Sequence, residues 1–137
     1  MQLLAAREHS ALELRHKLGD RGFPLQVVDT VLAQLAADGL QSDARFVEQY
    51  VRSRVRRGFG PVRIRAELRE RGIGEALIAP QLDGWDWAAQ AEGARCKRFG
   101  GGVPREWKER ARQARFLQMR GFGSEHMGAL FAQLPGD

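Results

Sequence analysis

The sequence predicts an all-α protein: three tandem three-helix repeat modules in an elongated, curved array. Three observations carry that prediction. Leu-x-x-Arg-Gly followed by a large apolar residue is written as Leu18-Arg21-Gly22-Phe23, Leu68-Arg71-Gly72-Ile73 and Leu117-Arg120-Gly121-Phe122, at spacings of 50 and 49 residues. Apolar residues after each copy keep step: Val28 and Leu32, then Ile78 and Leu82, then Met127 and Phe131. No stretch shows the sustained apolar/polar alternation with β-branched residues that a strand needs. A period in this range marks a repeat array whose modules share a core that none could bury alone. The modules are expected at 1–40, 41–84 and 85–137, the first lacking most of its opening helix, of which residues 2–7 are the remnant.

Each element has a local reason. Ser10-Ala11-Leu12-Glu13 has the form of a capping box, the serine oxygen taking an orphan N–H while Glu13 reaches back. The helix it opens turns Leu14 and Leu18 inward and ends near Gly22, which is free to adopt the left-handed conformation. Pro24 fits the first turn of the next helix, which Val27, Val28, Val31, Leu32 and Leu35 stripe and Gly39 stops. Ser42 is the expected cap of a helix from Asp43 to Arg57. Phe46, Val47, Tyr50, Val51 and Val55 fill one half of it, and Arg45, Gln49, Arg52 and Arg56 form a ridge on the other. Arg54 falls in the apolar half and must snorkel or meet a carboxylate such as Glu67. After the turn Gly58-Phe59-Gly60-Pro61, Pro61 starts a short helix with Ile64 and Leu68 inward. Glu67 stands one turn before Arg71 for an i,i+4 pair.

The third module opens at Trp85-Asp86-Trp87. Its first helix ends in Arg95, Lys97 and Arg98, and Gly100-Gly101-Gly102 follows as a flexible joint. Pro104 is expected to begin a helix through Arg120, with Trp107, Ala111, Ala114 and Leu117 as its apolar stripe. Arg105, Lys108, Arg112 and Arg115 then lie on its exposed side. Ser124 is expected to cap a last helix that packs Met127, Leu130, Phe131 and Leu134.

Charge is uneven in a chain of net +5. Residues 1–40 sum to −1, 41–86 to +2 and 87–137 to +4, and Arg45 to Arg71 alone holds nine Arg against three Glu. Such clustering favours a polyanion or an acidic protein surface as partner, the alternative being a merely solvated basic face. The single cysteine, Cys96, excludes an internal disulfide framework. Residues 1–20 have no signal-peptide pattern, and no apolar run approaches the roughly 20 residues that cross a bilayer. A soluble cytoplasmic protein is expected.

Catalytic chemistry finds no support. His9, His16 and His126 match no metal-ligand spacing. Gly58-x-Gly60 lacks the third glycine and downstream acid of a dinucleotide fingerprint, and Gly100-Gly101-Gly102 lacks the Lys-Ser/Thr of a phosphate loop. Ser10, Ser42 and Ser124 read as helix caps. No catalytic residue, no metal and no cofactor is expected. Arginines in a helical row, by contrast, can meet phosphates or carboxylates bidentately. Phe59, in a Gly-rich turn beside Arg56 and Arg57, either stacks on a base or partner pocket, or closes the gap between two helices of its own module.

Several blocks resemble the signatures of the RecX family of regulators of the RecA recombinase. Arg7-Glu8-His9-Ser10 with Glu13-Leu14-Arg15, Lys17-Leu18 and Gly22-Phe23 looks like its opening signature. Asp43-x-Arg45-Phe46, Arg52-x-Arg54, Arg57-Gly58-Phe59-Gly60-Pro61, Ile64, Glu67-Leu68 and Arg71-Gly72-Ile73 look like the central one. Phe116-Leu117-x-x-Arg120-Gly121-Phe122 resembles the closing one. The resemblance spans essentially the whole chain, although relatives carry more residues ahead of Arg7. It implies a small, all-helical, monomeric and non-enzymatic protein that binds the RecA–single-stranded DNA filament. Lodged in the filament's helical groove, or capping its end, such a protein suppresses strand exchange, ATP turnover and repressor cleavage.

On this reading Arg45, Arg52, Arg56, Arg57, Arg63 and Arg65, with Phe59, supply the main contact, and Arg105, Lys108, Arg112 and Arg115 extend it. Two other classes stay open: a free-standing helical protein that binds single- or double-stranded DNA, and a scaffold whose arginines meet acidic side chains of a protein. The repeated motif is expected to be a structural joint, whose Arg21, Arg71 and Arg120 can bond local carbonyls as readily as a partner.

Overall fold

An inward leucine and a backbone-freeing glycine give all three motif copies the same ending. In the computed structural model, whose described residues are 7–132, Phe23, Ile73 and Phe122 donate their N–H groups to the carbonyls of Leu18, Leu68 and Leu117 at 3.3, 3.1 and 3.0 Å. Gly22, Gly72 and Gly121 sit at φ +87°, +82° and +100°. This closure satisfies carbonyls that a helix end would otherwise orphan. Of the motif arginines, Arg71 Nη1 bonds a local carbonyl, that of Glu67 at 2.9 Å, whereas Arg120 Nη1 donates to the carbonyl of Arg57, 63 residues away, at 3.0 Å.

The described residues form eight α-helices and no strand. They are α1 (Ala11–Asp20), α2 (Leu25–Ala37), α3 (Asp43–Arg56), α4 (Pro61–Glu70), α5 (Glu75–Asp83), α6 (Trp87–Phe99), α7 (Trp107–Met119) and α8 (Gly128–Phe131), with a 3-10 turn at Ser124–His126. The expected remnant helix at residues 2–7 and the packing of Leu134 lie outside the described residues, apart from Arg7. Contacts divide the chain into two compact units, one of residues 1–51 and 67–81 and the other of residues 52–66 and 82–137.

In the first unit the capping box is complete. Ser10 Oγ accepts from Glu13 N–H and Glu13 Oε1 accepts from Ser10 N–H, both at 3.1 Å. Ser42 Oγ caps α3 by accepting from Arg45 N–H at 3.2 Å. Leu14, Val28, Leu35, Phe46, Val47, Val51, Leu68, Ile73 and Ile78 are buried. Pro24 is the cap residue of α2, one place earlier than a first-turn proline. The stripe on α2 is narrower than expected: Val31 and Leu32 are half-buried, and Val27 is exposed.

His9 is 2 % exposed, its Nδ1–H donating to the Arg7 carbonyl at 3.0 Å while its Nε2 accepts from Lys17 Nζ at 2.9 Å. Burial, and then the charges of Arg7 and Lys17, hold its pKa below the ordinary 6.5, with Glu13 pulling the other way. The unfolded chain therefore takes up this proton first as pH falls. The resulting contribution to stability is whole above 6.5 and is lost as pH drops below it. A pH series of thermal melts is expected to show this loss, and His9→Asn to flatten the slope in that window.

The second unit packs Ala91, Leu117, Phe122, Met127 and Leu130 into one cluster, with Trp87, Ala94, Ala114 and Phe116 against it. Here the structure departs most from expectation. Gly100-Gly101-Gly102 is tied down rather than a loose joint. Fully buried Arg95 donates from Nη1 to the Gly102 carbonyl at 3.0 Å and from Nη2 to that of Gly101 at 3.3 Å. Its Nε and Nη1 also reach Glu92 Oε2 and Gln113 Oε1, each at 3.0 Å. Arg110 Nε takes the Pro104 carbonyl at 2.7 Å. These bonds hold residues 101–104 out of helical geometry, so α7 begins at Trp107 and not at Pro104. They also rotate it. Its buried side is Arg110, Gln113 and Leu117, while Trp107 is 67 % exposed and Ala111 is exposed. The expected last helix breaks as well: Gly123 N–H donates to His126 Nδ1 at 3.1 Å, and only Gly128–Phe131 is α-helical. Ser124 caps nothing there. Met127 and Leu130 are buried as expected, but Phe131 is exposed.

Candidate nucleic-acid interface

Charge follows the contact units more sharply than it follows the chain. The first unit holds seven Lys/Arg against ten Asp/Glu, net −3, and the second fifteen against seven, net +8. Every residue expected to bind a partner, except Arg45, falls in the second. Arg45 is occupied locally, its Nε 3.0 Å from Glu8 Oε1 and its Nη2 donating to the Gly39 carbonyl at 2.7 Å.

Within the second unit guanidinium groups and phenylalanine rings alternate. Arg112 lies 5.1 Å from the centre of the Phe99 ring, and Arg98 lies 5.3 Å from Phe99 and 5.9 Å from Phe116. Arg120 is 5.0 Å from Phe116 and 4.8 Å from Phe59. Arg63 and Arg54 complete the series over Phe59 at 4.5 and 3.7 Å. Phe99 and Phe116 meet edge to face at 5.3 Å. Each such contact offsets about 0.5–1 kcal/mol of the repulsion between crowded cations. It also fixes the plane of each guanidinium.

The expected residues fall into three groups. Arg52, Arg56, Arg57, Arg105, Lys108 and Arg115 are exposed, Arg52 while also engaged within the chain, and Arg105 lies in the bend before α7 and not on it. Arg63 and Arg112 are exposed but engaged: Arg63 Nη1 donates to the Met119 carbonyl at 3.2 Å, and Arg112 Nε pairs with Glu109 Oε2 at 3.1 Å. Arg65 and Phe59 are half-buried, and the Phe59 ring meets Arg54, Arg63 and Arg120. Sequence reasoning did not assign Arg98, Phe99, Phe116, Arg54 or Arg120 to the interface. The adjacent Arg98-Phe99, and Phe116 one turn before Arg120, were the signal available. Among the described residues, no group of three or more His, Cys, Asp or Glu could hold a metal ion, and no helix is long and apolar enough to cross a membrane.

Comparison with known proteins is consistent along the whole length. The first, second and third three-helix domains of RecX match residues 1–35, 42–79 and 86–127. "Regulatory protein RecX" of Halorhodospira halophila is 48% identical over 139 aligned positions, covering 100% of this chain and 86% of the relative. Its counterpart from Pseudomonas savastanoi pv. phaseolicola is 42% identical, with coverages of 100% and 90%. Two solved structures share the fold. A crystal structure of regulatory protein RecX superposes with a TM-score of 0.79 at 24% identity, covering 96% of this chain and 69% of the other. RecX from Lactobacillus salivarius gives 0.75 at 18% identity, with coverages of 95% and 88%.

Proposed function

The chain belongs to the RecX family of regulatory proteins, which are not enzymes, and on that premise we propose that it binds the RecA–single-stranded DNA filament, in its helical groove, and restrains its activities. The observation that carries this reading is the net +8 of the second unit, with its guanidiniums held in register by aromatic rings. A filament presents phosphates and protein carboxylates side by side, and arginine serves both. Arg52, Arg56, Arg57, Arg105, Lys108 and Arg115 make the outward contacts, whereas Phe59 acts as a platform for Arg54, Arg63 and Arg120. Arg45 is left to the first unit's own packing.

The test is RecA ATP hydrolysis on single-stranded DNA with increasing amounts of this protein. Inhibition is expected, and Lys108→Glu/Arg115→Glu is expected to raise the concentration needed by about tenfold, as removal of ionic pairs does, with helicity unchanged. No inhibition by the unaltered protein sinks the filament reading. Binding that follows DNA alone, with no gain from RecA, favours a free-standing nucleic-acid-binding protein instead.

A further inference from the structure

A hollow of about 400 Å³ opens in the second unit, walled by α6, by the residues that end α3 and by the end of α7. Five cations line it: Arg56, Arg57, Lys97, Arg98 and Arg120. No carboxylate lines it, and among the described residues none of the five makes an ion pair. The position of Lys97 and Arg98 in the last turn of α6 suits the helix dipole. Arg56 in the last turn of α3 and Arg120 at the C-cap of α7 suit their dipoles in the same way, but the dipoles do not by themselves bring three helix ends and their cations to one hollow. Part of the wall is kept low by Gly58, Gly93 and Ala94, and Phe116 underlies Arg98 and Arg120. Arg120 is aimed by its bond to the Arg57 carbonyl.

We infer that this hollow seats a backbone phosphodiester of a single strand of nucleic acid, which rests on the reading above and assigns one of its contacts. Five unpaired cations in so small a volume call for dense negative charge. A nucleic-acid backbone supplies one full negative charge at every nucleotide. Carboxylates on a folded surface are seldom packed so closely. The low glycine and alanine wall lets a sugar–phosphate backbone come close without a side chain in its path.

Gly93 provides a clean test, because a Cβ there meets nothing within 4 Å. Gly93→Glu places a carboxylate among the cations and Gly93→Gln a neutral side chain of the same size. Both replace a helix glycine by a better helix former, so melting temperatures are expected to hold or rise. With labelled oligothymidylate and no RecA, Gly93→Glu is expected to weaken binding about tenfold and Gly93→Gln far less. The salt slope for Gly93→Glu is expected to be shallower by about 0.7 for each phosphate that is no longer neutralised. Equal oligonucleotide affinity in all three proteins overturns the inference. So does weakened binding of the glutamate variant to DNA-free RecA with oligonucleotide affinity intact, which would make the occupant an acidic protein segment. Competition by inorganic phosphate as strong as by oligothymidylate at equal phosphate and ionic strength overturns it too, since the seat would then take any phosphate. The filament reading fails separately, if the unaltered protein leaves RecA ATP hydrolysis untouched.

Discussion

Replacing Arg95 by methionine is expected to destabilise the second unit by about 3 kcal/mol, although the side chain replaced has no solvent exposure. The Arg95 side chain is fully buried and holds Glu92, Gln113 and the carbonyls of Gly101 and Gly102. Methionine fills much of the volume but donates nothing. Removing one member of a buried charged network costs about 3–5 kcal/mol because its partners are left unpaired. The lower end applies here, because Glu92 is 39 % exposed and can turn to water. Chemical denaturation measures the loss, and amide exchange at residues 100–103 is expected to accelerate as the glycine run is released. Arg95→Met/Gln113→Met should recover part of the loss, since it removes an orphaned acceptor together with its donor. A pH signature accompanies it. The Arg95 hydrogen bond, first among its causes, holds the Glu92 carboxyl below its ordinary 4.5. Its contribution is whole above that value and is lost as pH falls, and in Arg95→Met that part of the acid sensitivity should vanish.

The same arginine shows where the sequence stops being legible. Helix ends, the capping box at Ser10 and the three joints depend on residues within one or two turns, and the pattern states them directly. Arg95, Lys97 and Arg98 look alike at the end of a basic helix, yet one is fully buried and the other two are not. What separates them is Gln113, 18 residues away, and a glycine run whose carbonyls need donors. The rotation of α7 follows from the same cause: a helix wheel ranks Trp107 above Gln113, but the polar network claims the buried side. The candidate interface was half legible. Its exposed arginines could be named, whereas the alternation with Phe59, Phe99 and Phe116 joins residues far apart in the chain and exists only in three dimensions. Arg120, which the sequence places at a joint with a local or a partner contact equally open, bonds the Arg57 carbonyl and lies over Phe116 in the candidate interface.

The third joint predicts that its motif glycine matters far more than Gly22, its equivalent in the first copy. Gly121→Ala is expected to cost about 3–5 kcal/mol, and Gly22→Ala only about 1 kcal/mol. Both glycines have positive φ, so both alanines bear the strain of the left-handed region. Around Gly22, however, an added Cβ meets nothing within 4 Å. At Gly121 it would collide with the Arg63 Cβ and come within 2.6 Å of the Arg63 backbone nitrogen. Gly60 faces the same contact from the other side, its own Cβ falling 2.6 Å from the Gly121 carbonyl carbon. Two backbone bonds close the contact, Gly60 N–H to the Arg120 carbonyl at 2.7 Å and Val62 N–H to the Gly121 carbonyl at 2.9 Å. Any side chain at 121 must push these stretches of backbone apart and carry Arg120 with them. Oligothymidylate binding should therefore fall in Gly121→Ala even at temperatures where it remains folded, while Gly22→Ala binds normally. Equal melting temperatures for the two variants would show that the third joint is no tighter than the first, and the backbone contact between residues 60–62 and 120–121 would lose its assigned weight.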